Sequence, residues 1–266
     1  MDVWSPAQYR RFASERRQPF DALVALCQPC RGGLAYDLGC GPGELTRELP
    51  RRLGVSRVVG VDLSEAMLAS AAEHAGDAVS FERGDLASFE SPTPVDVIFS
   101  NAALHWAPDH AGVLARWRAA LAPGGQLAVQ LPCNGDHPAY QAISVTVAEQ
   151  RARFPGTLPS VASAENLESV ERYTEILHGL GATDMNVHMR VFPHALAGPL
   201  EVIEWVRGTA LHPVRVALDD DAAYGAFLDS YEARLRRILG PPDMPYLFTF
   251  KRIFLWARFD TPAAHR

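Results

Sequence analysis

The sequence predicts a doubly wound α/β fold: a mostly parallel sheet of seven strands, with a helical lid and a helical insertion. Three observations predict it. Up to about residue 131, short apolar, β-rich runs alternate with helical patterns, as a parallel sheet with crossover helices requires. The first run, Leu34 to Leu38, leads straight into a glycine-rich loop, at the edge where such sheets hold ligands. Beyond Pro132 helical stretches dominate, yet two late segments keep strand character.

Taken in order, an N-terminal helix is expected near Ala7 to Cys27, with residues 1–28 as a lid. Strands are expected at Leu34–Leu38, Arg57–Asp62, Val79–Glu82, Val95–Asn101 and Gln126–Leu131. Ser64 can cap a helix reaching His74, and Asp109 another ending near Leu121, because a short polar side chain satisfies the first free amides of a helix. Pro123-Gly124-Gly125 then turns the chain back into the sheet. The late strands are Asn186–Phe192 and Tyr246–Phe259. If both join the sheet, residues 197–240 form the helical insertion between them, on the side covered by the N-terminal helix.

With 266 residues, 48% of them hydrophobic, the chain can bury one sizeable core, and it reads as a single domain over 1–266. A net charge of −6 without a basic run argues against nucleic acid as a partner. The N-terminus has no basic stretch followed by an apolar one, and nothing approaches the roughly 20 apolar residues that span a bilayer. The expectation is a soluble cytoplasmic protein with a small-molecule substrate, no membrane and no obligate protein partner. Cysteines at 27, 30, 40 and 133 are too few for a disulfide framework. Cys27-Gln28-Pro29-Cys30 lacks a second pair or nearby histidines, so no metal site is expected.

The loop distinguishes between cofactors. A dinucleotide fingerprint would place its third glycine at position 44, which is Glu. Here the order is Asp37, Gly39, Gly41, Gly43, and Glu44 in a first helical turn would repel a pyrophosphate. An acid ahead of the glycines suits a cofactor bringing positive charge and no phosphate. Asp62, ending the second strand, can accept both hydroxyls of a ribose, an arrangement that nicotinamide enzymes share.

This pattern resembles motif I of the class I S-adenosylmethionine-dependent methyltransferases, which have a Rossmann-like fold. Three further stretches match in order: Gly84-Asp85-Leu86, Val95 to Asn101, and Leu121-Ala122-Pro123-Gly124-Gly125. The resemblance implies S-adenosylmethionine as methyl donor and S-adenosylhomocysteine as product. It also implies cofactor contacts from Asp37, Gly39, Cys40, Gly41, Asp62, Leu63, Met67, Asp85, Leu86 and Asn101. Asp85 would receive the adenine amine, and the Leu86 amide would meet a ring nitrogen.

Over nearly its full length the chain also resembles the trans-aconitate methyltransferase family. The carriers are Trp4-Ser5-Pro6-Ala7-Gln8-Tyr9 with Arg16; Asn101-Ala102 with Trp106-Ala107-Pro108-Asp109-His110; Val129-Gln130-Leu131-Pro132 with Asn134; Glu204-Trp205-Val206; and Phe250-Lys251-Arg252-Ile253-Phe254. The implied activity is O-methylation of a carboxylate on a small acid; the alternative is a hydroxyl, amine or carbon of a specialised metabolite. Acceptor contacts are expected from Tyr9, Arg16, His105, Trp106, Asn134, His212 and Arg252.

Three positions depart from the family: Cys133 where Asp is common, His105 where Gln is frequent, and His212 in place of an arginine after Thr209-Ala210-Leu211. A carboxylate acceptor is already ionised and needs no base, whereas a hydroxyl would make His105 or His212 a candidate base. His105 faces the acceptor or packs at a helix start, and His110 reads as a surface residue. Trp117, Trp205 and Trp256 read as core.

Overall fold

The computed structural model describes residues 13–151, 166–207, 210–218, 220–241 and 244–261, with the backbone alone for 13–16. Tyr9 and the start of the N-terminal helix lie outside the described residues. The strands are β1 (Leu34–Leu38), β2 (Arg57–Asp62), β3 (Val79–Arg83), β4 (Val95–Asn101), β5 (Leu121–Pro132), β6 (Asp184–Leu196) and β7 (Tyr246–Phe259). The helices are α1 (Ala13–Val24), α2 (Leu49–Leu53), α3 (Glu65–Ala71), α4 (His110–Ala120), α5 (Pro138–Gln150), α6 (Val170–Gly179), α7 (Glu201–Arg207), α8 (His212–Ala217) and α9 (Asp221–Ile238).

All seven strands form one sheet in the order β3-β2-β1-β4-β5-β7-β6. β1 to β5 run parallel, and β7 is antiparallel to β5. β1 and β4 are almost wholly buried, which is why their sequences read as near-continuous apolar runs rather than alternating ones. The chain lays down β2 and β3 on one side of β1, then crosses to β4 on the other. The strand order therefore reverses between β1 and β4, where doubly wound sheets leave a crevice at their carboxyl ends.

β5 begins at Leu121 rather than Gln126. Leu121 already pairs with Val95; the ladder then shifts and resumes with Gln126 opposite Val97. Pro123-Gly124-Gly125 is thus an irregularity within the strand, with Gly124 at φ +79°.

Alternate residues of a strand share a face, and so do partners across a ladder. Asp37 pairs with Phe99, Asn101 with Gln130, and Pro132 with Arg252. The register therefore sets Asp37, Asn101, Gln130 and Arg252 on one face, along four consecutive strands. α1 covers that face: Phe20 is fully buried and meets Phe99 edge-on, ring centroids 5.6 Å apart. On the other face Tyr36 packs on Phe89 at 4.8 Å.

Ser64 accepts from the Met67 amide at the start of α3, and Asp109 accepts from the Gly112 amide at the start of α4. Within α4, Trp117 is fully buried and its Nε1 donates to the Leu86 carbonyl at 2.8 Å. Replacing Trp117 with Phe is expected to lower stability by about 1 kcal/mol, because the half-buried Leu86 carbonyl loses its donor. Chemical denaturation measures this, and an unchanged midpoint would show the bond to be dispensable.

The chain divides into two compact units. Among the described residues, one holds those of 13–132, 166–190 and 252–261; the other holds those of 133–151 and 191–251. The second unit thus takes in α5 as well as the helices of the 197–240 insertion. In it α5 and α9 pack together: Tyr231 donates to the Ala139 carbonyl at 3.0 Å, and Gln150 Nε2 to Ser230 Oγ at 2.8 Å. Trp205 lies against Phe248 and Phe250. Among the described residues, no helix is long and apolar enough to cross a membrane.

Candidate active site

The crevice where the strand order reverses contains a pocket lined by Phe20, Asp37, Gly39, Cys40, Pro42, Glu44, Leu45 and Asn101. Asp37, one residue before the end of β1, is 4% exposed and accepts from Thr46 Oγ1 at 2.6 Å. Burial pushes its carboxyl up to about 7; the Thr46 bond opposes that shift, and the nearby Asp62 charge adds to it. Burial likewise pushes the Cys40 thiol up, helped by both carboxyls, so it is a packing group rather than a thiolate.

The glycines serve different ends. Gly39 has φ +81°, and a Cβ there would lie 2.1 Å from the Ala103 Cβ. The loop after β4 therefore sits directly on it. Gly41 has φ +57°, and a Cβ there would meet nothing within 4 Å; its open face has no packing reason. The Gly41 amide donates to Asp62 Oδ2 and the Ser64 amide to Oδ1, each at 2.9 Å. Two backbone donors thus hold the Asp62 carboxylate rigidly at the end of β2.

Leu63, just past the end of β2, is 60% exposed. Met67 is buried in α3, with its amide engaged by the Ser64 cap. Asp85 is exposed and accepts from the Ala87 amide at 2.8 Å, shaping the turn that carries Leu86. Leu86 comes close to Gly39, its Cδ2 lying 3.7 Å from where a Gly39 Cβ would be. Asn101 ends β4, and its Oδ1 is buried with no hydrogen-bond partner among the described residues. Next to it Ala102 takes φ +58°, a strained conformation for a non-glycine. Its amide donates to the Gln130 carbonyl at 2.9 Å. That left-handed residue ends β4 and brings Ala103 over Gly39.

On the same face, Arg252 is buried and its Nη1 donates to Gln130 Oε1 at 3.2 Å. His105 is also buried, with Nδ1 unpartnered among the described residues. Burial pushes its imidazole down to about 3, with Arg252 and then His110 adding to the effect. It is therefore neutral at any ordinary pH. Trp106, tilted against His105 at 4.8 Å, is 36% exposed.

His110 is not a surface residue. It is 3% exposed and bonds Tyr173 Oη at 2.6 Å across 63 residues of sequence. Asn134 and His212 belong to the second unit: Asn134 Oδ1 accepts from the Lys251 amide at 2.8 Å, and half-buried His212 opens α8. Cys133 is there too, its amide bonded to the Lys251 carbonyl at 2.9 Å. Arg16 lies in α1, but its side chain is outside the described residues. Thr46, Phe20 and Gln130 were not anticipated from the sequence. Only Gln130 left a trace there, as a lone amide inside the apolar run Leu127 to Leu131.

A buried acid, an unpartnered amide oxygen and a glycine facing open space fit a cationic nucleoside better than a phosphate. Together with this strand order, they define a class I S-adenosylmethionine-dependent methyltransferase. The comparisons agree: the family model for a methyltransferase domain matches residues 35–125. The trans-aconitate 2-methyltransferase of Methylobacterium nodulans is 38% identical, over 97% of this chain and 99% of its own. That of Mycobacterium tuberculosis is 36% identical, over 96% of each. Among solved structures, phosphoethanolamine N-methyltransferase 2 of Haemonchus contortus with S-adenosyl-L-methionine superposes with a TM-score of 0.56 at 22% identity, covering 92% of this chain and 53% of that one. The chain belongs to the trans-aconitate 2-methyltransferase family, and its methyl donor is S-adenosylmethionine.

Proposed function

We propose that the enzyme methylates a carboxylate of a small trans-aconitate-like acid. The observation that carries this reading is a buried Arg252 on the sheet face that also bears the pocket, close enough to the buried, neutral His105 to depress its titration further. A fixed guanidinium attracts an anion. An imidazole pushed down to about 3 is a very poor base, which disfavours an acceptor hydroxyl that must be deprotonated. A carboxylate needs no deprotonation, so the chain has only to position it and keep water out. The names of the relatives point to the same substrate class.

On the donor side, S-adenosylmethionine supplies an electrophilic methyl group on a sulfonium. Asp37 and Asn101 would take the cationic amino-acid end, with Gly39, Cys40 and Gly41 as the loop beneath it. Asp62 would take the ribose hydroxyls, Leu63 and Met67 would flank the base, and Asp85 with the Leu86 amide would hold the adenine edge. The rigid Asp62 carboxylate and the open face of Gly41 are the strongest support. Trp106, stacked at a tilt beside His105, remains an acceptor-side assignment.

Incubation with methyl-labelled S-adenosylmethionine and a panel of polycarboxylates is expected to yield an alkali-labile methyl ester. An alkali-stable product would move the acceptor to a hydroxyl, amine or carbon. At saturating substrates, kcat is expected to stay flat from about pH 6 to 9, because neither the acceptor nor His105 titrates there. A limb falling below an apparent pKa near 6.5 that persists in Asp37→Asn would assign a base and overturn the carboxylate reading.

A further inference from the structure

We infer that Gln130 is a specificity-determining residue whose side-chain amide donates a hydrogen bond to a carboxylate of the acceptor, while its carbonyl oxygen holds Arg252 in place. This rests on the carboxylate reading above and assigns that site a second donor. Gln130 is fully buried two residues before the end of β5. Its neighbours on the sheet are Asn101 of β4, which lines the pocket, and Phe254 of β7.

The amide's orientation follows from chemistry. A guanidinium only donates, so the oxygen must face Arg252, and Oε1 accepts from Nη1 at 3.2 Å. That contact turns Nε2 away, and Nε2 is buried with no hydrogen-bond partner among the described residues. Buried amide donors are almost always satisfied, so an orphan of this kind points to a ligand atom.

Two features identify that atom as an anionic oxygen. Arg252, a permanent cation, holds the other end of the same amide and polarises it as a donor. His105, the neighbouring buried ring, is neutral and adds no competing charge. The acceptor atom therefore lies beside one fixed cation and one oriented N–H, as a carboxylate prefers. The position is also one strand over from Asn101, about 4.8 Å away, so it adjoins the donor pocket.

The test compares Gln130→Glu, which keeps the shape, with Gln130→Met, which removes the donor. In the full-length enzyme, KM for trans-aconitate is expected to rise roughly 10- to 100-fold in Gln130→Met. It should rise further in Gln130→Glu, whose carboxylate pairs with Arg252 and repels the acid. Affinity for S-adenosylmethionine should stay within about twofold in both. Equal losses in both variants, accompanied by lost cofactor affinity, would reduce Gln130 to a packing residue.

A measurement on the unaltered protein covers the case in which neither variant folds. With glutamine side chains labelled with nitrogen-15, one solvent-protected amide pair should shift when trans-aconitate is added to the complex with S-adenosylhomocysteine. No shift would overturn the inference. If the wild type esterifies no acid, the carboxylate reading falls as well; if it does so and KM is unmoved in Gln130→Met, only Gln130 falls.

Discussion

Asp37→Asn is expected to make the ligand-free protein more stable at pH 8 while weakening S-adenosylmethionine binding by roughly 10- to 100-fold. In the folded chain this carboxyl is buried and titrates near 7, against 3.8 when exposed. Between about pH 4 and 7 the folded state keeps a proton that the unfolded state has released, so stability falls as pH rises through that window and then levels off. Asparagine has no proton to lose and can still accept from Thr46, so the variant lacks the decline. Relative to the wild type it should gain little at pH 4 and about 4 kcal/mol at pH 8, which is about 8 to 16 °C in Tm for a chain of this size.

A cation in the pocket reverses the balance by favouring the carboxylate. Wild-type binding at pH 6.5 should therefore release a proton, visible by calorimetry in buffers of different ionisation enthalpy, and the variant should release none. Parallel stability curves for the two proteins from pH 4 to 8 would mean that Asp37 is ionised throughout.

The second large effect separates two glycines that look alike in sequence. Gly39→Ala places a methyl 2.1 Å from the Ala103 Cβ at φ +81°. Overpacking and a left-handed alanine together should cost about 3 to 5 kcal/mol, lowering Tm sharply. Gly41→Val has nothing within 4 Å of its Cβ, so its main cost is that of a β-branched residue at φ +57°, about 2 kcal/mol. Its consequence should instead be loss of detectable S-adenosylmethionine binding. Thermal melts and calorimetric titration distinguish the two; equal Tm losses, or intact binding in Gly41→Val, would contradict the assignment.

Much of the fold was legible because its signals are local. β1, β2, β4 and β7 have the expected boundaries, since each is an apolar run closed by a polar or turn residue. Ser64 and Asp109 cap their helices as short polar residues before a helix should. The misreadings are tertiary. The Pro-Gly-Gly sequence looked like a turn because nothing in it reveals that Leu121 already pairs with Val95. His110 follows a cap, usually a surface setting; only Tyr173, far along the chain, draws it inside. In the site, the acid and glycines could be read from their order, because cofactor chemistry restricts residue type there. Thr46, Phe20 and Gln130 matter through partners that folding alone brings near.

The row from Asp37 through Asn101 and Gln130 to Arg252 also has an electrical asymmetry. Its two ends are about 20 Å apart, three strand spacings across and four residues along the strands. Arg252 is charged at every accessible pH, whereas Asp37 is only partly ionised near neutrality until a cation reaches it. Within this row only the Arg252 end therefore carries a full charge at first, and the row becomes a dipole when a cation ionises the Asp37 end. A molecule positive at one end and an acid negative at the other are then sorted to opposite ends, and exchanging them would set like charges together.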